Sequence, residues 1–430
     1  MLVFALLVAA SPAARCKELR LTVDELFAQV DTTSIAIKSQ RTGVEAALSG
    51  IALARSRYLP DINTQLSVGY DGNALLTNRE FGDATWVHSP HFANSFSMQL
   101  VQPVYAGGAI KAGVEMARLQ HQGAMAGERR TRLDERYMAL QQYLSIYKVL
   151  NRMRVYERNI ALTERLVSDI TSKYNQGMAL QNDITRYELQ LEQLRLALKQ
   201  LGNQRSVLNH QLCNTLHIDY NNVIVPDESL LAVAFGKASQ ETWQLQAASH
   251  SPLIEQQQLL SLQAAAQEKI VRSESLPKVN VVVGDELNGP ITYEVPPVNK
   301  NINMWYVGIG VSYNLGSLYK NSHRLKQASI ATRKAREDCE VAAEQVNNSV
   351  QQAHVLYLQS YEELATQVKS VELATQNYKV VNDRYLNQLA LVTDMVDASN
   401  VKLQAELQEV DACINIALAY YRLKYVAGTL

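Results

Sequence analysis

Cysteine, proline and glycine are all scarce. Four cysteines in 430 residues, Cys16, Cys213, Cys339 and Cys413, form no CxxC pair and no metal-like spacing, so neither a disulfide framework nor a zinc module is present. The last three fall in helical patterns and read as small apolar packing residues. With ten prolines, residues 104–225 and 298–430 contain none, and only 19 glycines punctuate the chain. Runs that long without a helix breaker favour very long helices. An excess of one charge is missing too: 41 basic against 42 acidic side chains lack the basic surplus of a nucleic-acid binder. A hydrophobic content of 47% argues against disorder. No stretch reaches the roughly 18 to 20 apolar residues needed for a membrane-crossing helix. There is no Walker loop, GxSxG or HExxH; His88 and His91 form a weak, solvated pair in a predicted loop. An enzymatic reading therefore has no positive support, and no cofactor or metal is implied.

Residues 2–10 are an apolar run followed by Ser11, Pro12, Ala13 and Ala14, the pattern of a secretory h-region and small-residue cleavage site. Residues 1–15 are thus expected to be a signal peptide, although no Lys or Arg precedes the run. Cys16 stands where a lipid acceptor would, but Arg15 before it fits a lipoprotein signal poorly. An exported chain without a spanning helix is periplasmic, secreted, or inserted as a β-barrel.

Four segments bear on that choice. Ile62, Thr64, Leu66, Val68 and Tyr70 alternate with polar or small residues, as do Phe96, Met98 and Leu100. So do Val279, Val281 and Val283, and Trp305, Val307, Ile309, Val311 and Tyr313. This period of two predicts strands at about 61–71, 92–103, 278–285 and 303–315. One apolar face with aromatics toward its ends suits an outer-membrane barrel wall. It also suits two amphipathic hairpins on a soluble core. Residues 71–91 and 285–302, rich in Gly, Asn and Pro, read as exposed loops within each pair.

Helical runs surround the pairs: 21–57 and 109–173 about the first, 241–275 and 317–384 about the second, with return runs at 184–217 and 395–425. Residues 109–173 would extend roughly 100 Å if unbroken, at about 1.5 Å per residue. In the first return run Leu189, Leu191, Leu194, Leu196, Leu198 and Leu201 alternate with Gln, Lys and Arg, as in laterally packed helices. The landmarks recur. Arg55, Ser56, Leu59, Pro60, Ile62 and Asn63 match Arg272, Ser273, Leu276, Pro277, Val279 and Asn280. Tyr174, Ala179, Leu180, Asp183 and Ile184 match Tyr385, Ala390, Leu391, Asp394 and Met395. The chain therefore reads as a duplication, with repeats at 16–225 and 241–430 and a linker at 226–240. Pro60 and Pro277 end a helix where a strand begins, and Gly107 and Gly108 follow Pro103 where a strand returns to helix.

Four strands cannot close a barrel, because an open edge in lipid leaves backbone groups unpaired. Copies must then combine. Two give eight strands whose side chains fill the interior, and three give twelve with an aqueous lumen. Three suits a conduit.

Eight segments carry a resemblance, in order along the chain: LTVDELF, ARSRYLPDI, QPVYAGGAIKAGVEMA, KYNQGMALQNDITRYELQ, VRSESLPKV, YNLGS, RYLNQLALVTDMVDA and LAYYRLKYVAGTL. Together they resemble the TolC-type outer-membrane efflux proteins, the outer membrane factor family, over residues 21–430. The resemblance implies a fold that is mainly α with a small membrane β part. It implies a homotrimer sharing a twelve-stranded β-barrel and a long α-helical barrel, with the 226–240 linker in an equatorial belt. It further implies a location in the outer membrane of a Gram-negative bacterium, extending into the periplasm. The implied role is the exit duct of a tripartite efflux or type I secretion system, joined through a periplasmic adaptor to an inner-membrane transporter. Such a duct catalyses nothing.

The resemblance also assigns residues. Asp394 and Asp397 match the paired aspartates of the family's pore constriction. Tyr385 and Asp183 match members of the network that holds the periplasmic end shut. The arginine of that network falls at Ala390, leaving Arg384 or Arg186 as substitutes. From the residues themselves, three copies at one level would ring the axis with six carboxylates, which attract cations and repel anions. The other reading makes Asp183 and Asp394 helix-capping groups after a turn. Asp394 and Asp397, three apart, share one helix face. A periplasmic coiled-coil adaptor or scaffold is the alternative function, sharing the long helices but not needing the four strands. The cargo, whether small molecules, metals or polypeptides, is not encoded in any motif, and no Met or His cluster favours a metal route.

Overall fold

The computed structural model describes residues 17–227, 235–236, 238–387 and 389–430. The signal segment, Cys16 and part of the 226–240 linker lie outside the described residues. The first half runs β1 (Lys17–Leu21), α1 (Val23–Thr33), α2 (Ile35–Ser56), β2 (Asp61–Tyr70), β3 (Ala74–Leu76), β4 (Thr85–Val87), β5 (Phe92–Ala106), α3 (Ala109–Asn175) and α4 (Gln181–Leu216). The second runs β6 (Asn222–Pro226), α5 (Gln240–His250), α6 (Pro252–Ser273), β7 (Lys278–Gly289), β8 (Ile302–Ser312), α7 (Ser317–Leu386) and α8 (Val392–Val426). Apart from the β3–β4 hairpin the two series correspond element by element. This is the fold of an internally duplicated chain, mainly α with a small sheet.

Two compact units share the chain, the division falling inside α2, α3, α6 and α7. One holds Gly43–Met125 and Gln256–Glu340. Its sheet has the order β2-β5-β7-β8, antiparallel throughout. The register sets Leu66 beside Phe96, Phe96 beside Leu287, Leu100 beside Val283, Val283 beside Val307 and Val281 beside Ile309. Since strand side chains alternate with period two, all four alternating sets fall on one face. Most of that face is bare: Leu66, Val68, Tyr70, Trp305, Val307, Ile309 and Val311 are largely exposed. The opposite face carries Gln65, Ser67, Ser97, Gln99, Glu286 and Gly284, with the Tyr306 ring lying across Gly284. Within this sheet β2 and β8 are the edges.

β5 runs past Pro103 to Ala106, with a register shift between Pro103 and Tyr105. Proline has no N–H to give the ladder, so the irregularity falls beside it. Gly107 (φ 62°) and Gly108 (φ 84°) then turn the chain into α3. A Cβ on Gly107 would lie 2.7 Å from the Ser273 carbonyl oxygen, so only glycine fits there. Pro60 and Pro277 directly precede β2 and β7. Residues 71–91 are more ordered than a plain loop: β3 and β4 pair through Leu75 and Trp86, and Asn78 Oδ1 accepts from the Gly82 and Glu80 amides at 2.7 and 3.1 Å.

The other unit, reaching to Thr42 and holding Ala126–Glu255 and Val341–Leu430, is helical. Two of its apolar clusters form the larger core. One joins Leu26, Val30 and Ile37 to Tyr143, Ile146, Leu212, Leu216 and Ile224. The second joins Trp243 and Ala247 to Val350, Tyr357, Ile416 and Leu423. The equivalent strands β1 and β6 pair in parallel beside them. α1 opens with a capping box, Glu25 N–H donating to Thr22 Oγ1 at 3.3 Å and Thr22 N–H to Glu25 Oε2 at 2.8 Å.

Two expected continuous runs are broken. Residues 21–57 divide at Ser34 and residues 241–275 at Ser251, serines equivalent under the duplication. Each has extended backbone, ψ 123° and 114°, and still closes the preceding helix through its amide, to Val30 and Ala247. Ser34 Oγ then accepts from the Ile37 amide and donates to Glu135, while Pro252 starts α6 where no amide donor is needed. In α4, Leu191, Leu194 and Leu201 are buried, whereas Leu189 and Leu196 are exposed.

Candidate functional site

The residues singled out for gating gather at two turns of the helical unit, α3 to α4 and α7 to α8. Both turns close the same way. The Met178 amide donates to the Lys173 carbonyl at 2.9 Å, and the Leu389 amide to the Arg384 carbonyl at 2.8 Å. These are six-to-one bonds of the kind that end helices, and Gly177 (φ 75°) supplies the left-handed residue in the first. Arg384 Nη2 also reaches the Leu389 carbonyl at 3.4 Å, within its own turn.

α4 and α8 then begin alike. The Leu180 amide donates to Asp183 Oδ2 at 3.2 Å, and the Leu391 amide to Asp394 Oδ2 at 3.0 Å. Leucine cannot accept a bond from the helix, so each start has only the reach-back half of a capping box. The carboxylate also lies in the first turn, where the helix dipole favours negative charge. Asp394 therefore holds a turn, whatever else it does. Asp397, one turn on, is exposed on the same side of α8, and buried Met395, Ala398 and Ser399 face inward between and beside the pair.

Between the turns lies a small core of Ile170, Ile184, Tyr187, Val392 and Met395, with Tyr378, Val381 and Tyr385 packed against it. It brings Tyr385 and Asp183 into one neighbourhood: burial pushes the Tyr385 phenol up, and the Asp183 charge adds to the effect. Ala390 offers no side-chain charge, and Arg186 lies exposed on α4. A cation does approach Tyr385, but it comes from α3, Lys173 Nζ standing 5.1 Å from the ring centroid.

Several groups here carry no motif. Tyr187 is 1% exposed and its hydroxyl is buried without a hydrogen-bond partner. Burial first, then the neighbouring Tyr385, Tyr378 and Asp183, push its phenol far up. Lys402 of α8 sits 4.9 Å from the Tyr378 ring centroid and 3.7 Å from Glu406 Oε1. Glu406 in turn accepts from Asn159 Nδ2 of α3 at 3.0 Å, and Gln190 Nε2 donates to Asn400 Oδ1 at 3.1 Å. These polar links tie the first-half helices to the second-half helices. The spacing Ile184, Tyr187, Leu191, Leu194 marks Tyr187 as inward-facing, but its missing partner leaves no trace in sequence. The turns also expose Met178, Leu180, Leu386, Leu389 and Leu391. Among the described residues there is no cluster of metal-ligating side chains, and no helix is long and apolar enough to cross a membrane.

The sequence profile of the family described as "Outer membrane efflux protein" matches residues 26–216 and 243–429, one match on each repeat. No curated protein sequence matches. Among solved structures, the outer membrane protein VceC of Vibrio cholerae superposes with a TM-score of 0.76 at 12% identity, covering 94% of this chain and 96% of its own. The CmeC outer membrane channel of Campylobacter jejuni gives 0.74 at 12%, over 95% and 85%. The open state of the MtrE outer membrane channel of Neisseria gonorrhoeae gives 0.69 at 14%, over 97% and 93%.

Proposed function

This chain belongs to the outer membrane efflux protein family, and we propose from that premise that it is the exit duct of a tripartite efflux or type I secretion system. It is an outer-membrane protein of a Gram-negative bacterium. In the proposed arrangement three copies share a twelve-stranded barrel in outer-membrane lipid, and their helices form a tunnel through the periplasm. A periplasmic adaptor joins the duct to an inner-membrane transporter, which supplies the energy. Small molecules or polypeptides pass through, and the helix turns open and close the path.

The observation that carries this reading is the sheet. Its one apolar face is exposed along β2 and β8, and these same strands are its two edges. Unpaired edge amides are untenable in hydrocarbon, so a wall of this kind needs strands from other copies. The turns support the gating part, because they combine exposed carboxylates with polar and cation–π links that can form or break without unfolding a helix. Planar-bilayer recording of the purified protein tests the reading. Ion-conducting pores with a long closed dwell are expected. A protein that fractionates with the periplasm and never conducts would instead be a scaffold.

A further inference from the structure

We infer that the Tyr187 hydroxyl biases the two helix turns toward separation, making Tyr187 a positioning residue of the gate. The link to gating rests on the proposed function; the effect on packing does not.

The ring and the hydroxyl act in opposite directions. The ring belongs to the core between the turns, with Ile170 and Ile184 from the first half and Val392 and Met395 from the second, and Tyr378 and Tyr385 against it. Burying that ring draws the turns together. The hydroxyl is buried as well, with Tyr385 and Tyr378 of α7 and Asp183 of α4 as its electrostatic neighbours, and has no hydrogen-bond partner. A buried donor without a partner forfeits the bonds it makes in water. Its own chain already covers the residue to 1% exposure, so a neighbouring copy in an assembly cannot reach in to satisfy it. If α7 and α8 draw away from α3 and α4, the hydroxyl meets water and the penalty is relieved. The packed arrangement is thereby held less tightly than its apolar contacts alone would hold it. Of the polar groups nearby, Asn159 pairs with Glu406, Gln190 Nε2 with Asn400, and the Asp183 and Asp394 carboxylates with backbone amides, while Gln190 Oε1 on α4 is buried without a partner as the Tyr187 hydroxyl is. A duct that must open on contact with a partner benefits from a closed state of modest depth, and a buried unpaired hydroxyl in the core between the turns lowers that depth.

The test is Tyr187→Phe in the full-length protein in mild detergent, read by amide hydrogen exchange. Protection at residues 184–191 and 392–398 is expected to rise about five-fold or more, with residues 212–216 unchanged. Tyr187→Ala, which removes the ring as well, is expected to lower protection at the same amides. Unchanged or lower protection in Tyr187→Phe overturns the inference, as does a rise in Tyr187→Ala. Bilayer recording separates this from the gate reading. If Tyr385→Phe leaves the resting conductance as it was while Tyr187→Phe raises protection, the gate reading fails and the packing inference stands. If Tyr385→Phe opens the pore and Tyr187→Phe changes nothing, the reverse holds.

Discussion

Asp394 and Asp397 sit one helical turn apart on the same side of α8, yet only Asp394 caps the start of the helix, and replacing them singly separates that capping from the proposed pore role. Asp394 Oδ2 accepts the Leu391 amide at 3.0 Å, and Leu391 has no side-chain acceptor to offer the amides that follow. Asp394→Ala removes the bond that fixes the start of α8. Losses of this kind run to about 1 kcal/mol. The favourable placement of negative charge at a helix N-terminus adds about 0.3–1 kcal/mol, toward the low end at an exposed site. The sum, roughly 1.4 kcal/mol, corresponds to about a ten-fold increase in fraying of the first turn. Asp394→Asn keeps an acceptor and loses only the charge, so a smaller effect is expected. Asp397 lies beyond the first turn, where substitution costs about a few tenths of a kcal/mol at most. Hydrogen exchange at residues 395–398 reads the difference. Reversal potentials under a salt gradient read the other role: each residue contributes one carboxylate per copy, so Asp394→Asn and Asp397→Asn are expected to reduce cation selectivity alike, and the double variant more. Equal exchange in Asp394→Ala and Asp397→Ala would refute the capping argument. An unchanged reversal potential in the double variant would refute the pore ring.

Other substitutions probe separate parts. Tyr385→Phe keeps the packed ring and removes only the hydroxyl that the family resemblance places in the closing network; resting conductance is expected to rise, and an unaltered conductance histogram would contradict that role. Gly108→Ala meets only the strain of its positive φ, about 1–2 kcal/mol, whereas Gly107→Ala adds a collision with the Ser273 carbonyl. Its thermal midpoint in detergent should therefore fall further, and equal shifts would count against the junction argument. The Tyr143 hydroxyl donates to the Leu21 carbonyl at 2.7 Å and accepts from the Asp227 amide at 2.9 Å, so Tyr143→Phe should cost about 1–3 kcal/mol. Burial pushes the Tyr143 phenol up to about 12 from 10. Its stabilisation is complete below pH 10 and is lost as pH rises toward 12. Near-ultraviolet circular dichroism across that range should show a shallower alkaline loss in the Phe variant, and an identical slope would contradict the assignment.

Strands and helices were legible in different degrees for physical reasons. Alternation in Ile62–Tyr70 and Trp305–Tyr313 is a local signal, strong because one face is apolar apart from Thr64. Which strand pairs with which is not local, and the register that sets Leu66 beside Phe96 and Phe96 beside Leu287 comes only from the structure. The parallel β1–β6 pair joins residues some two hundred positions apart and leaves no pattern in either segment. Breaks at Ser34 and Ser251 were hidden because a serine within a helical period is unremarkable until its backbone is seen; Pro252 was the available clue. At the turns, the match of Asp183 with Asp394 was plain in the sequence, and the competing capping and pore roles were both foreseeable. What the sequence could not reveal is Tyr187: its spacing marks a core position, and only the three-dimensional surroundings disclose an unpartnered hydroxyl.

All of this presupposes that four strands with two open edges are one share of a larger barrel. The native mass of the membrane-extracted protein in mild detergent, corrected for bound detergent, tests that most directly. Three chains per particle is the expected result. A stable monomer would leave the edges of β2 and β8 unpaired and would contradict the account.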